Sequence, residues 1–340
     1  MDFFSDILGN AETKERLGRA ILGNAFPHAF IIEGPRGCGK HTLALYLSAA
    51  LNCQCEETKT LPCGSCNNCR RIFNKNFVDV KYIGKKDGKS TIGVDDIRST
   101  REDIYLSPTE SAYKIYIIED AHTMTTQAQN ALLKIFEEPP QGVVIFLLCE
   151  NIQQILSTIK SRAQLIRMQR LPDDDVRRAL LKDPEVSSIC QTSPDAFTAA
   201  IKLSHGSIGL AKEMLTADKS AELAEERKNT ADLLSLLVPG KEKFKLYSAI
   251  QSLPQKRNEF SDSLQMILDG LRDLILSKYS ESSALLFFVD KDAVSALAPR
   301  IGHARLLKFY DIFFKAKTKC EQNGNMNAII TDLCVVATGV

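Results

Sequence analysis

The feature that most constrains this chain is the stretch GPRGCGKHT, residues 34–42. It follows a short apolar run, HAFIIE (28–33), and leads into TLALYLSAAL (42–51), which has helical composition. Strand, glycine loop and helix in that order make a phosphate-binding loop. Glycines permit a tight path on which backbone N–H groups converge, and the helix adds the positive end of its dipole. Gly34, Gly37, Gly39 and Lys40 stand where such a loop needs them, with Lys40 expected to reach the β- and γ-phosphates of a nucleotide. The next residue, where a hydroxyl normally completes a magnesium shell, is His41. Magnesium prefers oxygen, and imidazole substitutes poorly. Thr42 lies about 100° further round the helix, so its hydroxyl is expected to miss that position. The loop predicts retained binding of ATP or ADP, with Mg²⁺ disfavoured.

A second element points the same way. KIYIIEDAH (114–122) is an apolar strand ending in acids, the pattern of a Walker B segment. Such segments usually end Asp-Glu, the Asp near the metal and the Glu polarising the attacking water. Here Glu119 precedes Asp120, so each carboxylate is displaced by one methylene, in opposite directions. A displacement of about 1 Å costs roughly a hundredfold in rate. Hydrolysis by this chain's own site is therefore expected to be weak or absent.

The first half alternates strand-like and helix-like stretches. Besides HAFIIE, the apolar runs are FVDVKYI (77–83), with Val78, Val80 and Tyr82 on one face, KIYII (114–118), GVVIFLLC (142–149) and AQLIRM (163–168). Strands separated by helices predict a five-stranded parallel sheet covered on both faces, with a ligand beyond the carboxyl ends of the strands. This α/β module is expected to span residues 1–168. In QRLPDDDVRRALL (169–181), Pro172 cannot sit in a central strand and Asp173 suits a helix N-cap. From there the chain reads as helical, with two helices in 196–215 joined at Gly206. Phe260, Leu264, Ile267, Leu268, Leu271 and Ile275 recur at helical spacing, as do Leu306, Leu307, Tyr310, Phe313 and Phe314. Both stripes are read as packing between helices.

Composition excludes several functional classes. The net charge is +1, so there is no global basic field for nucleic acid, and any such contact must be local or come from a partner. The apolar run Val143 to Cys149 is too short to span a bilayer, and MDFFSDILGN has no apolar core of a signal peptide. A cytoplasmic location is expected. Five of the ten cysteines fall between residues 53 and 69, and in a reducing compartment such a cluster points to metal. Cys53, Cys63, Cys66 and Cys69 read C-x9-C-x2-C-x2-C, a spacing suited to a structural, tetrahedral Zn²⁺, with Cys55 the odd one out. CGSCNNCRR offers DNA little beyond Arg70 and Arg71, which favours a rigid elbow or a protein contact.

Together these elements resemble the bacterial clamp-loader AAA+ family, the subunits of DNA polymerase III that load the sliding clamp. The resemblance covers most of the chain and is densest in residues 1–215. PHAFIIEGPRGCGK looks like the family's strand and loop, and the four-cysteine spacing after the loop helix is similar to its zinc module. Residues 94–140 are the most specific piece, above all Asn130 to Pro140, where Ala131, Leu132, Ile135 and Phe136 form an apolar helix face and the proline pair stops the helix. ILSTIKSRAQ (155–164) resembles the family's Ser-Arg-Cys motif, with Ala163 in place of the cysteine. By resemblance, Arg162 is an arginine finger for ATP held by a neighbouring subunit.

Two sister types compete. The ATP-hydrolysing gamma/tau type carries Lys-Thr in its loop, Asp-Glu in Walker B, and a sensor arginine after a Gly-Ser. This chain has Lys40-His41, Glu119-Asp120, and HGSIGLA (205–211), where Gly209 stands near the expected arginine. The departures look like the delta-prime type, the stator of the loader, and MILDGLRDLIL (266–276) resembles its collar. The resemblance implies a zinc module at 53–69 within the AAA+ domain, a small helical lid at 169–225 and an all-α collar at 226–340. It also implies a hetero-pentamer with gamma/tau and delta subunits, and contact through that complex with the sliding clamp and primed DNA. A gamma/tau-like ATPase motor is the alternative, and a zinc-bearing DNA-binding module with a vestigial nucleotide site the third reading.

Overall fold

The computed structural model describes all residues except 1, 5, 6, 24, 56–59, 87, 88, 90, 241, 242, 280–284, 289, 290 and 323, and the side chains of 2, 99, 101, 102, 217, 218 and 220. The chain forms two compact units, residues 1–175 with 206–210, and residues 176–205 with 211–340.

The first unit runs β1 (Asp2–Phe3), α1 (Ala11–Leu22), β2 (Ala29–Glu33), α2 (Lys40–Leu51), β3 (Thr60–Leu61), α3 (Asn67–Phe73), β4 (Val80–Ile83), α4 (Val94–Ile104), β5 (Lys114–Ile118), α5 (Thr126–Glu137), β6 (Val143–Cys149), α6 (Ser157–Lys160) and β7 (Gln164–Arg167). Five of these strands form a sheet in the order β4-β5-β6-β2-β7, every pair parallel, while β1 and β3 form a separate parallel pair. The expected five-stranded parallel sheet is thus present.

Because side chains alternate across a strand, the sheet supplies two cores. Phe30, Ile32, Ile115, Ile117, Phe146 and Ile166 meet Leu17, Leu43, Leu47 and Ile72 of α1, α2 and α3. On the other face Ile31, Tyr116, Ile118, Ile145 and Leu147 meet Ile97 of α4, Leu132, Ile135 and Phe136 of α5, and Ile159 of α6. Each such fully buried aliphatic or aromatic side chain stabilises by about 1.5–3 kcal/mol. Strands buried on both faces explain why β5 and β6 read as continuous apolar runs.

One strand departs from its expected form. β4 begins only at Val80, and Val78 is 48% exposed. The intervening Asp79 is buried because its carboxylate accepts the backbone N–H groups of Thr109 and Glu110 and the hydroxyl of Ser111, pinning the loop between α4 and β5.

The second unit is helical. α7 (Asp173–Leu180) leads into it. Then come α8 (Pro184–Thr192), α9 (Pro194–Leu203), α10 (Ile208–Met214), α11 (Ala217–Leu236), α12 (Lys243–Gln251), α13 (Arg257–Leu276), α14 (Lys291–Leu297), α15 (His303–Glu321) and α16 (Met326–Gly339). Gly206 does join two helices, at φ +81°. The expected border at 225/226 falls inside α11, a continuous helix of 20 residues. Compactness does not separate the segments either side of that border.

Phe260, Leu264, Ile267 and Leu271 of α13 share a core with Leu306, Phe309 and Phe313 of α15. The α15 stripe is split, however. Leu307, Tyr310 and Phe314 are exposed at 47%, 36% and 52%, because the buried face runs through 306, 309 and 313 instead. No helix among the described residues is long and apolar enough to cross a membrane.

Candidate functional site

β2 lies between β6 and β7, and its carboxyl end opens directly into the glycine loop. Gly34 donates its N–H to the Cys149 carbonyl at 3.1 Å, tying the loop to β6. Gly37 and Gly39 adopt φ of +71° and +93°, conformations that glycine alone takes without strain. Helix α2 begins at Lys40, so its positive end faces the loop. A cavity of about 300 Å³ lies here, lined by Gly37, Gly39, Lys40, His41, Thr42, Glu119, Asp120, Leu148 and Gly209. The sequence-derived loop residues other than Gly34 thus meet both acids around one cavity. Thr42, expected to point elsewhere, is among the lining residues.

Lys40 folds back over the loop, Nζ donating to the carbonyls of Gly34 at 2.7 Å and Pro35 at 2.9 Å. The two acids are engaged by other basic side chains. His41 Nε2 stands 3.2 Å from Glu119 Oε1, and the imidazole stacks on Tyr82, ring centroids 5.7 Å apart. His41 holds the Glu119 carboxyl below its ordinary value, against the opposing effect of burial. Asp120 adopts a left-handed φ of +47°, which turns its carboxylate away from the strand direction and onto Lys85 Nζ at 2.9 Å.

These arrangements answer the magnesium question. The carboxylates that would draw the ion are each matched to the chain's own base, and a nitrogen heterocycle stands at the hydroxyl position. The residues present do not fit Mg²⁺.

The segment after α9 closes the loop from another side. Ser207 Oγ donates to the Arg36 carbonyl at 2.9 Å, and the Gly209 N–H donates to the Gly37 carbonyl at 3.1 Å. A Cβ on Gly209 would lie 3.0 Å from both Cα and O of Gly37. The position near the expected sensor arginine is held to a glycine by contact with the loop itself.

Arg162 follows α6. Its guanidinium donates to the Thr158 carbonyl at 3.0 Å and Ser161 Oγ at 3.3 Å, and pairs with Glu137 Oε1 at 2.9 Å. The side chain is 37% exposed and is not among those lining the chain's own cavity. Gln129 fixes the approach to α6, its Oε1 accepting the Leu156 N–H.

The cysteine cluster forms with a changed membership. The sulfurs of Cys53, Cys55, Cys63 and Cys66 lie within 4.8 Å of one another. Cys69, expected in the set, is instead buried beneath it, its Sγ 3.9 Å from Cys63 and 3.8 Å from the Ala49 carbonyl. Cys66 caps α3, accepting the Cys69 N–H, and Cys63 accepts the Cys66 N–H. Burial pushes the Cys63 thiol up, but the N–H groups of Cys66 and Ser65 and the Ser65 hydroxyl prevail, bringing it to about 5. Zn–S bonds of about 2.3 Å put the sulfurs of a tetrahedral site roughly 3.8 Å apart. The cluster fits such an ion, with one sulfur to spare.

Lys85 and Ser207 were not singled out in the sequence. The signal for Lys85 lies in register: Ile83 pairs with Ile118, so the residues two beyond each, Lys85 and Asp120, emerge side by side.

A parallel sheet with a glycine loop after the interior strand β2, acids after β5 on the far side of β6, and a chain that continues into helices has the architecture of a P-loop protein of the AAA+ class. A family model described as DNA polymerase III, delta subunit, matches residues 9–172. The DNA polymerase III subunit gamma of Buchnera aphidicola is 31% identical over 258 residues, covering 75% of this chain and 69% of that protein. The gamma/tau subunit of Mycobacterium tuberculosis is 27% identical over 333 residues, and the chain spans 56% of that longer protein. A solved gamma subunit-related protein from Thermotoga maritima aligns over 95% of this chain and 98% of its own, at 20% identity and a TM-score of 0.44. The chain belongs to the DNA polymerase III clamp-loader family of AAA+ proteins.

Proposed function

We propose that this chain is a delta-prime-type stator of the clamp loader, one that lends an arginine to a neighbouring subunit's ATP and does not consume its own. The observation that carries this reading is the engagement of both site acids by the chain's own basic side chains, His41 on Glu119 and Lys85 on Asp120. A carboxylate held on a lysine is poorly placed to orient an attacking water.

Arg162 does the complementary work. Its guanidinium, partly exposed just after the short helix α6 and outside the chain's own cavity, is presented to a nucleotide across a subunit boundary. There it neutralises charge developing on the transferring phosphoryl group, an effect worth about 10³–10⁵ in rate for such fingers. Assembly would join this chain to gamma/tau and delta subunits, and through them to the sliding clamp and primed DNA. A Zn²⁺ held by Cys63, Cys66, Cys53 and a fourth sulfur would leave no open position, so it would brace the 53–69 segment and perform no chemistry.

Two measurements test the proposal. The chain alone should turn over ATP no faster than a blank, and His41→Thr should not change this, because Lys85, the inverted acids and Gly209 remain. In a reconstituted loader, Arg162→Ala should lower clamp- and DNA-stimulated turnover by at least about a hundredfold while assembly persists. Unchanged turnover would sink the trans-finger role.

The gamma/tau names of the relatives favour the motor reading. Steady turnover by the isolated wild-type chain would establish that reading in place of the stator.

A further inference from the structure

The acids of a nucleotide site ordinarily create a negative field that attracts a divalent ion, and the ion then bridges to phosphate. In this chain both acids are already engaged from within. Lys85 Nζ is 2.9 Å from Asp120 Oδ2, and His41 Nε2 is 3.2 Å from Glu119 Oε1. Neither contact is a chance surface encounter. The β4–β5 register, Val80 to Ile83 against Ile115 to Ile118, delivers Lys85 to Asp120. Tyr82 of β4 stacks on the His41 ring, and Lys75 Nζ lies 5.4 Å from the centroid of the Tyr82 ring. The parts of the phosphate-binding half are present, with the glycine turns and the amino end of α2 at the cavity and Lys40 among its lining residues, its Nζ resting on the loop carbonyls. A metal entering here would have to displace a lysine and approach a histidine, both of which it would repel or be poorly served by.

We propose that this pocket takes a nucleoside diphosphate free of metal, with His41 and Lys85 occupying the two carboxylates that would otherwise hold a divalent cation. The diphosphate is favoured over the triphosphate by the same geometry. A third phosphate would project from the loop toward Glu119 and Asp120, where His41 and Lys85 are already held on the carboxylates and leave no positive charge over to offset the added phosphate. The bound diphosphate would brace the loop and the Ser207–Leu210 segment packed on it, serving structure and not turnover. This inference rests on the loop being a nucleotide site, and the experiment separates the two.

ADP and ATP are titrated into the full chain by calorimetry, each in excess MgCl₂ and in excess EDTA. The expected result is ADP affinity that agrees within about threefold between the two conditions, with ATP weaker than ADP in EDTA by at least roughly tenfold. In a His41→Ala/Lys85→Ala variant, ADP should become at least about tenfold weaker in EDTA than in MgCl₂, because the freed carboxylates repel phosphate until a metal enters. Lys40→Ala, the control, should weaken ADP in both conditions. ADP binding by wild type at least about tenfold tighter with Mg²⁺ would overturn the metal-free claim and leave the nucleotide site standing. Absence of ADP binding in both conditions would overturn the site itself, while the role of Arg162, tested in the assembled loader, would be untouched.

Discussion

Replacing Gly209 with alanine probes how tightly the post-α9 segment governs the glycine loop. The Gly209 N–H reaches the Gly37 carbonyl at 3.1 Å, and an added Cβ would meet Gly37 Cα and O at 3.0 Å and its carbonyl carbon at 3.5 Å. These are backbone atoms of a residue at φ +71°, and they cannot swing aside as the end of a long side chain does. Relief requires the two segments to part by a few tenths of an ångström, which stretches this hydrogen bond and the Ser207–Arg36 one together. Overpacking of this kind costs about 1–3 kcal/mol. For a unit of this size, 1 kcal/mol lowers the melting temperature by roughly 2–4 °C. Calorimetric melting of Gly209→Ala should therefore show the first unit destabilised by several degrees. Gly209→Arg, which supplies a guanidinium near the site where hydrolysing relatives are expected to carry one, should suffer the same clash and gain no ATPase activity. An alanine variant within about 0.5 kcal/mol of wild type would refute the tight-contact reasoning, and an arginine variant that hydrolyses ATP would refute the claim that packing excludes a sensor.

Metal analysis should find one Zn²⁺ per chain, lost in Cys66→Ser. Because five sulfurs would be available to a four-coordinate ion, Cys55→Ser and Cys69→Ser should each keep it, while the double variant should lose it to a chelator. Asp79 offers a pH test. Burial raises its pKa, but the N–H groups of Thr109 and Glu110 and the Ser111 hydroxyl outweigh this and hold it below the ordinary value. A depressed folded pKa means the unfolded chain binds the proton first, so the contribution is full above about pH 3.9 and is lost as pH falls through the folded value. Urea midpoints of Asp79→Asn should accordingly fall less steeply below about pH 4 than those of wild type, and equal slopes would count against it. In the second unit, Asp273 is fully buried and accepts the N–H groups of Leu286, Phe287 and Phe288 at 2.9 to 3.1 Å. Asp273→Ala orphans three donors at once and should cost about 3 kcal/mol or more in urea unfolding, and a loss under about 1 kcal/mol would contradict this.

The sheet was legible in the sequence because buried parallel strands need uninterrupted apolar runs, and KIYII and VVIFLLC have no other use. The glycine loop was legible because its glycines are needed at left-handed φ, as Gly37 and Gly39 confirm. What escaped was set by partners distant in the chain. Val78 alternates correctly with Val80 and Tyr82, yet it is exposed, because the buried demand at that edge is met by a carboxylate tied to residues 109–111. The α15 stripe contains two interleaved rows, and only its packing against α13 decides that 306, 309 and 313 face inward. Spacing alone favoured Cys69 over Cys55, whereas the chain path after α2 brings Cys55 within sulfur contact of Cys63 and draws Cys69 down toward Ala49.

The departures at the nucleotide site act as one change. A hydrolysing pocket keeps its acids free for metal and water, and those free charges require a cation to be compatible with bound phosphate. Losing the loop hydroxyl alone would leave two uncompensated carboxylates facing any nucleotide. His41 answers the first acid from the position of the lost hydroxyl, and Lys85 answers the second from the adjacent strand end. In the proposed stator, where no metal is sensed and no phosphate cleaved, an arginine at 209 would have no task, and a glycine there lets the following segment pack onto Gly37. The same fold leaves Arg162 outside the cavity, tethered only by exposed contacts worth about 0–1 kcal/mol. Under the proposed stator role, a guanidinium held so lightly would be released at little cost to a stronger anion, such as a triphosphate across a subunit boundary.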